Sequence, residues 1–403
     1  MTRVIHTADT HIGYRQYHSP ERKQDFLDAF ASVIADAIDD DVDAVIHAGD
    51  LFHDTRPDLD DLMGTIGILR DLATAEIPFL GVVGNHERTR ERQWLDLITD
   101  LDLAVRLDHT GTQIGDVTFY GLDWVPPTQR DRIEYRFSSP ETEHTALVAH
   151  GLFEPFAHAD WDTEALLEAA TVNFDAMLLG DNHKPDRADV DDTWVTYSGS
   201  TERASADERD QRGYNLVTFA DDVRIARRTI ADTRTFEFVD VTLAGEEGSK
   251  RVRDRVLERD VTDAVVIVRI EGDGAEVSPA AIEEAARDAG ALVVRVNDRR
   301  DTDEETDRSR VRFADPDQAI TQEIDTMGLS DVGYMVDQII RDDTIADANV
   351  RERVRSRVTT LLAEAPEAFA RNEPSDAPRE PDSHGATEPA NDDDAGQLSI
   401  GEF

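Results

Sequence analysis

Five short motifs carry most of the hard-ligand chemistry in this chain. They are Asp9-Thr10-His11, Gly49-Asp50-Leu51-Phe52-His53, Gly84-Asn85-His86-Glu87, His150-Gly151 and Gly180-Asp181-Asn182-His183. Each offers carboxylate, amide or imidazole donors. The chain has no cysteine, so disulfides, thiolate sites and cysteine nucleophiles are excluded. A metal would be held by N and O donors, which favours manganese, magnesium, iron or zinc. One Asp-X-His means little alone, but five such motifs in series point to one assembled site. In-line attack on a phosphodiester is served by two cations about 3.5–4 Å apart, which lower a water's pKa and clamp the transferring phosphoryl oxygens. Two ions that close need a bridging carboxylate, and Asp50 is the natural candidate. Glycines beside the ligands let the backbone turn off its strands and approach the ions.

Each motif follows a run that reads as a strand. The runs are Arg3–His6, Ala44–His47, Pro78–Val83, Val117–Gly121, Ala146–Ala149, Ala176–Leu179 and Trp194–Tyr197. Between them lie helical patterns such as Pro20–Ile38, with Ser19 as N-cap and Pro20 in the first turn. This predicts an α/β domain over residues 1–230, with ligands gathered beyond the strand ends. A smaller unit follows at 231–315 in β-α-β-α-β order: Phe236–Leu243, Lys250–Arg259, Ala264–Ile270, Pro279–Ala289 and Ala291–Val296. Asp301–Arg310 reads as a charged loop. Residues 316–370 are helical by periodicity, with Val350, Val354, Val358, Leu361 and Leu362 on one stripe. That stripe could dock on its own domain or on a partner. Residues 372–396 have almost nothing to bury and are expected to be disordered.

Net charge is −45 with a pI near 4.4, which at first sight argues against a nucleic-acid partner. The only lysines are Lys23, Lys184 and Lys250; the other basic residues are arginines. Acid spread along the whole chain with almost no lysine reads as adaptation to molar salt. There the Debye length is about 3 Å, so distant carboxylates barely repel a phosphate. Counterion release also drives DNA binding weakly in such salt, which leaves arginine forks, metal ions and shape. No apolar run approaches the roughly 20 residues a membrane helix needs. The N-terminus enters a strand-like run without a signal peptide's apolar segment, so a cytoplasmic protein is expected.

The motif set resembles the calcineurin-like metallophosphoesterase superfamily. Asp9-Thr10-His11-Ile12-Gly13-Tyr14, the Asp50 and His86 motifs, and Tyr197-Ser198-Gly199-Ser200-Thr201-Glu202-Arg203 narrow it. Together they resemble the DNA double-strand-break repair nucleases called Mre-eleven in archaea and eukaryotes and SbcD in bacteria, here of haloarchaeal type. The resemblance implies a metallophosphoesterase β-sandwich flanked by helices, a smaller α+β capping domain, a C-terminal helical segment and a disordered tail at 371–403. It implies two Mn²⁺ per subunit, one held by Asp9, His11, Asp50 and His183. The other would be held by Asp50, Asn85, His150 and the first position of the last motif. There the family pattern is Gly-His-X-His, whereas this chain has Gly180-Asp181-Asn182-His183. Asp181 either ligates as a carboxylate or points away and leaves a weaker site. His86 matches the family's catalytic histidine, which stabilises the pentacoordinate phosphate or protonates the leaving oxygen. His53 matches the residue that handles the DNA end. Tyr14 and His18 fall in a loop placed near DNA. Ser198, Ser200 and Arg203 form either a phosphate cradle or a polar turn. His6 and His47 are expected in the core; His18, His109, His144, His158 and His384 at the surface.

The resemblance further implies a homodimer and an SMC-like ATPase partner (Rad-fifty or SbcC type) docked on the 316–370 helices. Faces such as Leu62-Ile66-Leu69 and Trp94-Leu97-Ile98 could form the dimer contact or pack in the core. Gln397, Ile400 and Phe403 resemble a sliding-clamp (PCNA) interaction peptide, though such peptides usually end in two aromatics. The expected activity is 3′-to-5′ exonuclease action on duplex DNA and endonuclease action on single strands. Hydrolysis of a nucleotide or small phosphate ester, or a non-catalytic DNA-bridging scaffold, are the competing readings.

Overall fold

A computed structural model describes residues 1–130, 132–300, 330–341, 347–369 and 398–399. One six-stranded sheet contains β1 (Thr2–Thr7), β2 (Ala44–His47), β3 (Phe79–Gly81) and β4 (Val105–Arg106), joined by β12 (Gly213–Phe219) and β13 (Arg224–Thr229). Its order is β13-β12-β1-β2-β3-β4, with β1 to β4 parallel and β12 antiparallel to β1. The second contains β5 (Thr112–Ile114), β6 (Val117–Leu122), β8 (His144–His150), β9 (Ala176–Gly180), β10 (Asp186–Val190) and β11 (Thr193–Tyr197). Its order is β10-β11-β9-β8-β6-β5, with β6, β8, β9 and β11 parallel. The short β7 (Ile133–Glu134) pairs in parallel with Leu398–Ser399.

The two sheets face each other, and the alternation of side chains along each strand explains why the strands read as unbroken apolar runs. Val4, Ala44, Ile46, Leu80 and Val217 meet Phe119, Ala146, Val148, Ala176 and Leu178 between the sheets. On the outer face of the first sheet, Ile5, Val45 and Phe79 pack under α1 (Pro20–Asp39), α2 (Leu59–Thr74) and α3 (Trp94–Asp100). Strands buried on both faces need no polar alternation. Helix α1 starts where the sequence says: Ser19 Oγ accepts from Arg22 N at 3.1 Å, Pro20 occupies the first turn, and Phe26, Phe30, Val33 and Ala37 form the buried face. Outside the second sheet lie the four-residue α4 (Pro127–Arg130) and α5 (Thr163–Ala169).

All seven anticipated strand runs are strands. Strands β10 and β13, in contrast, have polar sequences, Asp-Arg-Ala-Asp-Val and Arg-Ile-Ala-Arg-Arg-Thr. They sit at sheet edges, where charge protects an open ladder rather than filling a core. The smaller unit has β14 (Phe236–Leu243), β15 (Val265–Gly272) and β16 (Val293–Asp298), all parallel, with α6 (Ser249–Leu257) and α7 (Pro279–Asp288) on one face. Phe236, Val265 and Ile267 on the other face pack with Tyr17 and Ala206 of the first domain. Helices α8 (Asp331–Arg341) and α9 (Asp347–Glu364) follow. Along α9 the Val354, Val358 and Leu361 positions are half-buried and Leu362 is exposed. The charged loop at 301–310, the tail at 372–396, His384, Gln397, Ile400 and Phe403 lie outside the described residues. No helix among the described residues is long and apolar enough to cross a membrane.

Candidate metal centre

The motif residues converge where the parallel strands of both sheets end. Asp9 N donates to Gly49 O at 3.1 Å and His11 N to Asp50 O at 3.0 Å, which ties the first two motifs together. The candidate ligands themselves carry unusual backbone: φ is +51° at Asp9, +43° at His11, +58° at Asp50 and +91° at Asp181. Such conformations cost side-chain-bearing residues energy and persist where the surrounding structure enforces them. The glycines beside them are needed chiefly for close approach. A Cβ on Gly84 would lie 2.0 Å from Asp50 Oδ1, and one on Gly49 would lie 2.4 Å from His150 Nδ1.

Ligand atoms of Asp9, His11 and His183 lie within 4.8 Å of one another, as do those of Asp9, Asp50 and His150. Both groups are buried. His11 Nε2 faces His183 Nε2 at 3.0 Å, and His150 Nε2 lies 2.8 Å from Asn85 Oδ1. Asp50 stands between the halves, with Oδ2 3.8 Å from His11 Nε2 and 3.5 Å from His150 Nε2. The far sides of the rings are anchored. His150 Nδ1 donates to Ala48 O at 2.7 Å, and a carbonyl can only accept, so the Nε2 lone pair of the neutral ring points into the centre. His183 Nδ1 is held by Glu208 Oε1 at 2.9 Å. Asp181 is placed at the rim: its N–H donates to Asp9 Oδ1 at 3.0 Å and its carboxylate reaches within 3.9 Å of His150 Nε2.

Charge balance follows from this crowding. Burial raises the Asp9 pKa to about 6 against the pull of His183 and His150. Burial also opposes the His150 imidazolium, yet Asp50, Asp181 and Asp9 outweigh it and raise its pKa to about 10. His183 is raised to about 9, where Glu208 outweighs burial. For Asp50 the neighbouring imidazoles overcome burial and hold the carboxyl well below its ordinary range. Asp181 is raised by burial. The site is therefore a buried set of carboxylates that calls for positive charge. Asp50 Oδ2 is buried without a hydrogen-bond partner in the protein. An orphaned carboxylate oxygen among imidazole Nε2 atoms, which become ligands on losing their protons, fits divalent cations with N/O ligands.

At the mouth, His86 N donates to Asp50 Oδ1 at 2.9 Å and its Nδ1 donates to His53 O at 2.9 Å. His53 lies with its ring 5.0 Å from that of His86, and Tyr14 stacks on His53 at 4.0 Å. His18 is exposed on the 3-10 turn that follows. Ser198, Ser200 and Arg203, read as either a phosphate cradle or a polar turn, bond within the protein. Ser198 and Ser200 are fully buried, Ser200 Oγ donates to Glu208 Oε2 at 3.3 Å, and Arg203 donates to the carbonyls of Glu208 and Asp210. Those groups hold their own loop. His6 and His47 are core, each with pKa lowered to about 3 by burial. His144, expected at the surface, is buried beside Phe219.

Two acids outside the expected ligand set support the site. Glu87 is buried, accepts from Phe52 N at 3.1 Å and Gly84 N at 3.2 Å, and is raised to about 7 by burial and by Asp50. It pins the second motif to the third, and its place inside the Gly84–Glu87 motif was a usable signal. Glu208 gave none: it is 25 residues from the histidine it holds and outside any motif.

Residues 2–185 match the family model of calcineurin-like phosphoesterases. The chain is 59% identical over 370 residues to the DNA double-strand break repair protein Mre11 of Haloferax volcanii, covering 92% of this chain and 84% of that one. It is 55% identical to the Mre11 protein of Halobacterium salinarum, with 90% and 95% covered. This chain belongs to the Mre11 family. It is also 43% identical to the Mre11 protein of Methanosarcina acetivorans, of which 61% is covered against 89% of this chain. Membership makes it a metal-dependent phosphodiester hydrolase, in keeping with the ligand groups of the site.

Proposed function

We propose that this Mre11-family chain is a manganese nuclease that processes DNA double-strand-break ends, cutting duplex ends 3′ to 5′ and single strands internally. The observation that carries the reading is Asp50, whose unpartnered Oδ2 lies between two imidazole-bearing halves of one buried cluster. Asp9, His11, Asp50 and His183 would hold one ion, and Asp50, Asn85, His150 and Asp181 the other. When bound, two such ions supply a water of lowered pKa and a clamp on the phosphoryl oxygens. The rest is the work of side chains. His86 Nδ1 is committed as a donor to His53 O, so Nε2 is the atom that takes up or gives a proton at the leaving oxygen. The Tyr14–His53 stack at the mouth offers an aromatic face to a base at the strand end.

The chain's relatives named as double-strand break repair proteins support DNA as the substrate. For the SMC-like ATPase (Rad-fifty type), the α8–α9 pair is the proposed dock, because its stripe is incompletely covered. For the homodimer, the proposed face is Leu59, Met63 and Gly67 of α2, since these are exposed one turn apart. Of the faces Leu62-Ile66-Leu69 and Trp94-Leu97-Ile98, Ile66, Leu69 and Ile98 are buried, Leu62 and Trp94 pack against the core, and Leu97 is exposed. A sliding clamp is the proposed partner of Gln397, Ile400 and Phe403.

The test is cleavage of a 5′-labelled duplex and a single-stranded circle in high KCl with Mn²⁺, Mg²⁺ or EDTA, beside a His86→Asn variant and a small phosphodiester. Manganese-dependent DNA cleavage, reduced at least about a hundredfold in the variant, is expected from loss of a proton-transfer group. Turnover of the small ester with DNA left intact would overturn the nuclease reading.

A further inference from the structure

The turn at residues 205–210 belongs to two places at once. Its centre, Glu208, is buried against the metal site: Oε1 accepts from His183 Nδ1 at 2.9 Å, while Oε2 accepts from Ala204 N at 3.0 Å and Arg212 Nη1 at 3.1 Å. Its flanks grip the other domain. Arg209 makes a two-pronged pair with Asp240 of β14, both bonds 2.6 Å, and lies 5.0 Å over the Phe238 ring. Asp207 pairs with Arg269 of β15. Ala206 packs into the apolar cluster of Phe236, Val265 and Ile267. Arg203 donates to the Glu208 carbonyl at 3.0 Å and lies over Phe236 at 5.2 Å.

Arg209 N donates to Asp207 O at 2.9 Å, so these three residues form one tight turn. Its flanks cannot follow the 236–298 domain without carrying Glu208 with them. A carboxylate behind a ligating imidazole fixes ring orientation and raises basicity, and such partners matter about ten- to hundredfold to metal affinity. Half-exposed ion pairs are weak singly. Here two of them, two cation–π contacts and an apolar cluster act on the same few residues.

We propose that Glu208 is the positioning residue of His183, and that its turn makes divalent-metal affinity depend on how the 236–298 domain is seated. The inference rests on the metal-centre reading above. It also gives the smaller domain a role at the metal centre.

The test is calorimetric titration of MnCl₂ into the full chain, with thermal melting of each metal-free protein. Glu208→Gln, which keeps an acceptor oxygen but loses the charge, is expected to weaken binding about tenfold. Arg209→Ala, Asp240→Ala and Phe238→Ala, all on the far side of the turn, are expected to weaken it about three- to thirtyfold. The swapped pair Arg209→Asp with Asp240→Arg should recover most of the loss. Asp240 is exposed, so its variant tests the inference even where Glu208→Gln unfolds the protein. Wild-type protein that takes up no Mn²⁺ would overturn the metal-centre reading and this inference with it. Wild-type binding, with all three far-side variants within about twofold of it, would overturn this inference alone.

Discussion

At the scale of single residues, the site is a problem in protons as much as in geometry. Without metal, His150 is raised to about 10 and His183 to about 9, so at pH 7 both are imidazolium. Raised pKa values mean that these protonated rings stabilise the metal-free fold below their unfolded pKa of about 6.5, a gain lost as pH rises through 9–10. Metal uptake runs the other way, because ligation needs the Nε2 lone pairs and must expel those protons. Near pH 7, binding should release about two protons, and affinity should climb up to about a hundredfold per pH unit. Below pH 6 the dependence should steepen as Asp9, raised to about 6, also protonates. Calorimetry in buffers of different ionisation enthalpy reads the proton count directly. A dissociation constant flat from pH 6 to 9 would sink the account. The candidate donors were legible in the sequence because hard donors at strand ends have few other reasons to recur. The left-handed backbone of Asp9, His11 and Asp50 was not, since nothing in an Asp-X-His triplet announces its φ.

At the scale of elements, burial on both faces made the central strands readable, and the lack of it hid the edges. Ala44–His47 was legible to the residue because all four side chains are buried. The polar strand Arg224–Thr229 was missed because its side chains serve solvent and ion pairs, as Arg228 does with Asp40. Periodicity also identified α2 as amphipathic but not which apolar residues were surplus to the core. Ile66 and Leu69 are buried, whereas Leu59 is 72% and Met63 54% exposed on the same helix. Covering such side chains is worth about 1.5–3 kcal/mol each, enough to matter to a dimer. Gly67 has open space above it, where a second helix could approach closely. Met63→Arg should therefore shift the protein from dimer to monomer in light scattering while Mn²⁺ binding stays within about twofold of wild type. A wild-type monomer, or a variant that remains dimeric, would refute the α2 contact.

At the scale of the whole molecule, the proposed catalytic and docking roles are separated along the chain. The ligand candidates all lie between Asp9 and His183, and among the described residues the two clusters that hold them contain none from α8 or α9. A net charge of −45 makes nonspecific attraction to DNA or to acidic partners a poor way to assemble anything, so recognition must be short-ranged. A helix pair with an apolar stripe and a terminal Gln-Leu-Ser-Ile-Gly-Glu-Phe peptide suit that need, each burying a few apolar side chains against a groove. Removing residues 316–370 should then abolish co-purification with the SMC-like ATPase. Removing only 397–403 should abolish capture by the sliding clamp and spare the ATPase. Both truncations should keep the Mn²⁺ affinity of the full chain within about twofold, because the candidate ligands and the described groups that support them lie between Asp9 and Arg212. Affinity chromatography with each partner, beside calorimetry, measures all of these. Clamp capture unchanged by the short truncation would remove the terminal peptide as its dock, and ATPase capture unchanged by the long one would remove the helix pair. Loss of metal binding in either would show that the ends of the chain support the site, against the separation argued from its core.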